Sequence, residues 1–350
     1  MPGVRQPWIP KFVLATPAAL AWPEGAAMAE RAAALGTEVV RLKSDRLSGL
    51  PDQYRDAKRT FAIVTASPSR RRLQPIPPSA DWRFDLAEGC PAHCSYCYLA
   101  GSLAGPPIVR AYANLPEILA ELPAAVGHGR VTSASSARAS EGTTFECSCY
   151  TDPLAIEHLT GHLATSIAHF GAWDADVQLR FTTKFDAVGP LLGLRHQGRT
   201  RMRFSVNAAG AERHEGGAPR MAQRLAALRA VAQAGYKVGL TVAPILRLPG
   251  WQDAYDRLFA DVAAALDGVD GVDLTAELIT HRFTPKSREV LAKWYPGSAL
   301  EMDEAVRSRK TTKFGSVKYV FPKEEMTAMR AAIEGSLTRH LAGVRVLYWT

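Results

Sequence analysis

Six short runs of almost uninterrupted apolar character, at residues 84–87, 144–149, 177–182, 202–206, 238–243 and 272–278, dominate the middle of the chain. Most gaps between them carry helical spacing, at 115–125, 155–170, 219–234 and 251–266. Strands that are apolar on both faces need a sheet covered on both sides, and the intervening helices supply the crossovers of a parallel sheet. The expectation is an α/β fold made of successive βα units. Asn114 reads as an N-cap before Leu115-Pro116, and Gly235 as the glycine that ends 219–234. Residues 1–80 hold two shorter apolar runs, 37–42 and 61–65, and Arg70-Arg71-Arg72 followed by Pro75, Pro77 and Pro78 reads as a linker or surface loop. Residues 281–350 are richer in charge and close on an apolar run at 344–349. The expected organisation is an N-terminal α/β extension (1–80), a central region (81–280) and a C-terminal extension (281–350).

With 350 residues, 47% apolar and 22% charged, the chain has material for a sizeable core, which excludes disordered and fibrous classes. The 42 Lys+Arg against 34 Asp+Glu leave a net charge of +8, so anionic partners, nucleic acid included, are not repelled. No run approaches the roughly 20 apolar residues that cross a bilayer, and the first residues show no basic-then-apolar leader. A soluble cytoplasmic protein with no membrane partner is expected. The five cysteines all fall between Cys90 and Cys149, a poor layout for a disulfide framework and a good one for a reducing compartment.

The strongest chemical signal is Cys90-Pro-Ala-His-Cys94-Ser-Tyr-Cys97, a CxxxCxxC spacing just after the first strand of the βα series. Three thiolates within eight residues can converge on one small object, and soft sulfur selects zinc, copper(I) or an iron–sulfur cluster. A structural zinc site closes with four protein ligands, here His93 or a later cysteine, whereas a cubane on three cysteines leaves one iron open.

CxxxCxxC placed after the first of six βα strands resembles the radical S-adenosylmethionine superfamily. Within it the chain resembles the spore photoproduct lyase family of DNA repair enzymes. The resemblance rests on GCPAHCSYCYL at 89–99, FECSCYTD at 145–152, IEHL at 156–159, LRFTTK at 179–184, RFSVN at 203–207, GYKVG at 235–239, VAPI at 242–245 and ELITHRFT at 277–284, and it starts at WIPKF, 8–12. It implies a partial (β/α)6 TIM-type barrel of the radical SAM kind. It also implies a [4Fe-4S] cluster on Cys90, Cys94 and Cys97 that reduces S-adenosyl-L-methionine, and a lesion substrate, 5-thyminyl-5,6-dihydrothymine. Cys149 matches the family's hydrogen-atom donor, Tyr98 its radical relay, and Tyr96 a residue near the cofactor. Lys184, Ser205, Thr151, Asp152 and Ala243 fall on cofactor-contacting positions at strand ends. Cys147, two residues before Cys149, should face the same side if the strand is regular.

Arg307, Arg309, Lys310, Lys313 and Lys318 gather around Phe314-Gly315, a pattern for a basic, aromatic hairpin beside an extruded thymine pair, or for a solvated charged face. The family pattern has Arg-Tyr where Lys313-Phe314 stand, a change that loses bidentate phosphate geometry and a hydroxyl donor. His281 and Arg282 follow the sixth strand and either reach the substrate or, for His281, pair with Glu277. The partners implied are lesion-bearing DNA and an electron donor such as a flavodoxin or ferredoxin, acting on a monomer. Two other readings share these residues: the same radical machinery on a different lesion or nucleotide, and a non-catalytic zinc or Fe-S DNA-binding protein.

Overall fold

A computed structural model describes residues 6–102, 105–132, 135–311 and 315–350. The chain divides into two units, one of residues 1–91 and 104–202 and one of residues 92–103 and 203–350.

The first unit contains a five-stranded sheet in the order Val39–Arg41, Phe12–Ala15, Thr60–Val64, Val109–Tyr112 and Ala87–Glu88. Its pairings are parallel except the last. Val13, Met28, Phe61, Ile63 and Val109 pack with Ile156 and Leu159 into one buried cluster. The second sheet of this unit runs in the order Gln74–Ile76, β1 (Ala80–Phe84), β2 (Thr143–Cys147) and β3 (Val177–Thr183). β1, β2 and β3 are parallel, and Gln74–Ile76 is an antiparallel edge. Helix α1 (Leu115–Ala120) and helix α2 (His162–Ala172) belong to the same unit. Phe170 of α2 stacks on Phe84 of β1 and meets Phe145 of β2 edge-on, which seats the helix on the sheet.

The first strand of the series lies earlier than its apolar run suggested. β1 covers 80–84, and Ala87–Glu88 turns away into the five-stranded sheet. The reason is Asp81, a poor strand former on propensity but a buried acceptor here. Its carboxylate takes N–H bonds from Val131 (2.6 Å) and Thr144 (2.9 Å) and hydroxyl bonds from Thr132 (2.7 Å) and Thr144 (2.9 Å). The arginine- and proline-rich stretch is likewise structured: Pro68–Arg71 is a helical turn and Gln74–Ile76 an edge strand, where proline is tolerated. The 115–125 helix is cut short and resumes as a 3-10 turn at Pro123–Ala125, and the 155–170 stretch is interrupted at Gly161, φ +67°. Asn114 does not cap α1 with its side chain; its carboxamide brackets the main chain of Ala66, accepting at 2.7 Å and donating at 3.0 Å.

In the second unit the sheet order is β4 (Thr200–Val206, which enters this unit at Arg203), β5 (Lys237–Ile245), β6 (Leu274–Thr280) and β7 (Arg345–Trp349). β5, β6 and β7 are parallel. Its helices are α3 (Met221–Gln233), α4 (Trp251–Leu266), α5 (Pro285–Trp294) and α6 (Lys323–His340). Gly235 follows α3 at φ +81°, as expected of a terminating glycine. Arg203 is buried and pairs with Glu277 at 2.5 Å, and the same carboxylate accepts the Tyr348 hydroxyl at 3.0 Å. A buried guanidinium needs such a partner. Ser308–Thr311 and Val317–Val320 form an antiparallel hairpin.

Candidate active site

In the first unit, β2 ends at Cys147 and Ser148 takes a left-handed conformation, φ +61°. The Ser148 N–H donates to the Phe84 carbonyl at 2.8 Å, and its hydroxyl accepts the Leu86 N–H at 3.2 Å. The chain therefore turns between the two cysteines. Cys147 is buried within the sheet, while Cys149 lies past the turn, half-buried, with its N–H donated to Asp85. The regular strand on which a shared side for the two thiols was conditional is not there, because the strand ends at Cys147 and a left-handed residue breaks the alternation. Burial pushes the Asp85 carboxyl up to about 6 despite the nearby Arg83 guanidinium. That guanidinium lies 4.4 Å above the Tyr150 ring.

Asp152 accepts from the Thr183 hydroxyl at 2.8 Å, the Lys184 N–H at 2.7 Å and the Ala155 N–H at 3.3 Å. Burial outweighs these bonds and raises its carboxyl above the ordinary value. The loop after β2 is thus tied to the end of β3, which brings Asp152 and Lys184 together. The Thr151 hydroxyl beside them is buried without a hydrogen-bond partner among the described residues. Cys90 also belongs to this unit. Gly89 before it stands at φ +82°, where a Cβ would meet the Ile108 carbonyl at 2.0 Å, so only glycine fits. The Gly89 N–H donates to the Tyr150 carbonyl at 2.8 Å, and the Lys58 ammonium donates to the Cys90 carbonyl.

In the second unit the cysteine loop is clasped by the segment 214–217. His93–Cys94 pairs antiparallel with Glu215–Gly216. The Ser95 N–H donates to the His214 carbonyl at 2.9 Å, and the Ser95 hydroxyl lies 2.9 Å from His214 Nδ1. The Tyr96 hydroxyl donates to Glu215, and Glu215 is ion-paired with buried Arg224. Arg224 donates further to the carbonyls of Pro219 (2.9 Å) and Ser205 (3.1 Å). Burial, reinforced by nearby Cys94 and by Glu215, raises the Tyr96 hydroxyl well above its usual range. The Ser205 hydroxyl donates to the Ala243 carbonyl at 3.4 Å, so these two candidate cofactor positions are neighbours. Tyr98 opens a 3-10 turn, Tyr98–Gly101, and is 67% exposed.

Among the described residues, no three His, Cys, Asp or Glu side chains are grouped to hold a metal ion. The donor chemistry of the loop, three thiols within eight residues, remains that of a soft-metal or iron–sulfur site.

The family model described as spore photoproduct lyase matches residues 8–350. The chain belongs to the spore photoproduct lyase family. It is 38% identical to a spore photoproduct lyase of Geobacillus sp. (strain Y412MC61) and 36% identical to that of Bacillus subtilis (strain 168), each match covering 99% of this chain and all of the relative. A solved spore photoproduct lyase complexed with dinucleoside spore photoproduct superimposes with a TM-score of 0.90 at 37% identity, over 99% of this chain and all of that one. A solved variant of spore photoproduct lyase, with bound AdoMet and dinucleoside spore photoproduct, matches equally well. The fold is accordingly the radical SAM partial barrel that the sequence led us to expect.

In this family member the basic C-terminal hairpin is present, but its charges are not equivalent. Arg307 is not a surface contact: its side chain is 3% exposed, pairs with Glu301, and lies 3.6 Å over the Phe321 ring. Arg309 and Lys310 are exposed, and Lys310 stands opposite Lys318 across the ladder. Lys313 and Phe314 lie outside the described residues. His281 does not pair with Glu277, whose carboxylate is taken by Arg203 and Tyr348. It is buried and pushed down to about 3 by burial and by Arg307, whose guanidinium donates to its carbonyl at 3.2 Å. Sequence reasoning missed Glu215, Arg224, Arg83 and Asp85. Each is an ordinary charge in the linear chain, and only the odd Glu215-Gly-Gly217 after His214 offered a signal that something other than a helix was being built there.

Proposed function

We propose that this chain is a radical S-adenosylmethionine lyase that reverts spore photoproduct in DNA to two thymines. One observation carries the reading: a thiol, Cys149, is set at the C-terminal end of a barrel strand in a chain matching the family from residue 8 to 350. Cys90, Cys94 and Cys97 would hold a [4Fe-4S] cluster. Lys184, Thr151, Asp152, Ser205, Ala243 and Tyr96 would contact S-adenosylmethionine. Of these, Thr151 has a buried hydroxyl in need of a partner, whereas Asp152 already serves the β3 end and so fixes the loop. When bound, the cluster supplies one electron to S-adenosylmethionine, whose cleavage to methionine provides a 5′-deoxyadenosyl radical able to take the C6 hydrogen atom of the lesion.

The protein's own residues act after that abstraction. Once the methylene bridge breaks, the thymine radical needs one hydrogen atom, and the Cys149 S–H, a weak bond, donates it. The sulfur radical then takes a hydrogen atom from the Tyr98 hydroxyl, and the tyrosyl radical, with Tyr96 near the cofactor, would recover its hydrogen atom from 5′-deoxyadenosine, which would let S-adenosylmethionine be regenerated. The Ser148 turn fixes where the donor stands, so the product radical is quenched before it wanders. Lesion-bearing DNA is the substrate, a flavodoxin- or ferredoxin-type protein the electron donor, and the working form a cytoplasmic monomer. Among the described residues no helix is long and apolar enough to cross a membrane.

The test is anaerobic: reconstitute iron, reduce, and follow spore photoproduct to thymine by chromatography with S-adenosylmethionine, recording 5′-deoxyadenosine in parallel. Thymine formation that needs the cofactor and each of Cys90, Cys94 and Cys97 is expected. Deoxyadenosine without thymine would send the same machinery to another substrate, and a protein that binds zinc and ignores the cofactor would overturn the reading.

A further inference from the structure

Beside the Cys149 turn, within the first unit, lies a cavity of about 260 Å³ whose walls include Arg70, Arg72, Arg83, Gln74, Asp85 and Tyr150. Three arginines line it against one acidic residue. Arg83 is held over the Tyr150 ring, and its approach to Asp85 is a loose 4.0 Å. Arg70 pairs with Glu88 but keeps about half its side chain in solvent (54% exposed). Arg72 is exposed and makes no ion pair or hydrogen bond among the described residues. Two walls are shared with the proposed donor: Tyr150 is the next residue after Cys149, and Asp85 accepts the Cys149 N–H.

We infer that this cavity receives a phosphodiester of the DNA strand flanking the lesion, with Arg72 and Arg83 as its ligands. The inference rests on the proposed function, since it is the lesion at Cys149 that brings a DNA strand to this side. A guanidinium fork matches two phosphate oxygens, and a guanidinium already stacked on an aromatic ring loses little freedom on binding. The cavity is larger than a phosphate group alone, which leaves room for the attached deoxyribose against Tyr150 and Gln74. Asp85 is the one opposing charge on its wall, and its carboxyl is pushed up to about 6, by burial first and by neighbouring Glu88, against the pull of Arg83, the Cys149 amide and Arg70. Near neutral pH most of that carboxyl is still ionised, but it is a single negative charge among three arginines. The arginine cluster, which reads in the sequence as a linker, thus acquires a role in holding the strand.

The test compares two ligands on the full chain carrying its cluster: a lesion-bearing oligonucleotide, and the dinucleoside spore photoproduct, which has no flanking phosphodiester. Arg72→Ala is suited to it because the residue is exposed and buries no partner. Oligonucleotide affinity, read by fluorescence anisotropy, is expected to fall about tenfold, and the slope of log affinity against log salt to shrink by about one. Arg72→Glu should fall further. The dinucleoside should lose far less than the oligonucleotide. An unchanged salt slope, or equal losses on both ligands, would overturn the inference. Anisotropy requires no turnover, so a wild-type protein that fails to repair the lesion would count against the proposed function while this binding comparison still decides the cavity.

Discussion

Two thiol-bearing loops of this protein are held in place by different physics. The turn carrying Cys149 is set mainly by backbone: Ser148 accepts a left-handed conformation, and its N–H and hydroxyl are fastened to Phe84 and Leu86 of the neighbouring chain segment. The loop carrying Cys94 and Cys97 has a two-residue ladder, and is further tied by Ser95–His214 and by the chain of contacts from Tyr96 through Glu215 to Arg224. A single donor atom needs one fixed position, which a hydrogen-bonded turn provides. A loop that must present several ligands together needs support along its length, and side chains from one clasping segment give it that at the cost of burying a charge pair. The second loop should therefore be far more sensitive to loss of one residue.

Arg224→Ala probes that difference most strongly. It leaves Glu215 buried without its counter-charge, a loss expected to cost about 3–5 kcal/mol in urea unfolding. Hydrogen exchange at residues 93–98 should quicken while the Ser148 amide stays protected. Equal loosening of both loops would break the comparison. Next in size is Asp81→Ala in β1, which strands buried donors from Val131, Thr132 and Thr144 and should cost about 2–3 kcal/mol.

The Asp81 carboxyl also gives a pH signature. Burial alone would raise it, but the bonds from Thr144, Thr132 and Val131 together hold it below the ordinary 3.8. The unfolded carboxyl therefore takes up its proton first, so this stabilisation is complete above the ordinary value and is lost as pH falls through it toward the lowered one. Asp81→Asn should flatten that acid limb in a pH series of melting curves.

Smaller effects sharpen the picture of the donor turn. Ser148→Val places a β-branched residue at positive φ and should cost about 1–3 kcal/mol. Ser148→Gly relieves the backbone but gives up the bond to Leu86, and should leave stability within about 1 kcal/mol of the parent. If the turn is what places the donor, the valine variant should cleave cofactor while releasing less thymine per deoxyadenosine, and the glycine variant should sit nearer the parent.

Much of the fold could be read from the chain. The apolar runs located five of the six barrel strands closely, and Trp251–Leu266 has the helix limits its spacing indicated. CxxxCxxC and the strand-end Cys149 were visible because chemistry-bearing residues at fixed spacing are rare. What escaped depended on partners far along the chain. Asp81 and Arg83 made β1 look too polar to be a strand until Thr132, Thr144 and Tyr150 were brought to them. Arg307 looked like a DNA contact because sequence gives the sign of a charge and not its depth; in the fold it is sealed against Phe321. Glu215 and Arg224 had no motif, since their meaning comes from the cysteine loop some 120 residues earlier that they support.

The central claim, a thiol donor fixed at the end of a barrel strand in a repair lyase, is tested most directly by running the reaction in deuterated water. A thiol exchanges its hydrogen with solvent, whereas carbon-bound hydrogens do not. Repair of spore photoproduct should therefore yield thymine carrying one solvent deuterium in its methyl group, and Cys149→Ala should lose that label along with most of the thymine while still cleaving S-adenosylmethionine. Thymine formed at full yield without the label, or unchanged by Cys149→Ala, would contradict the account.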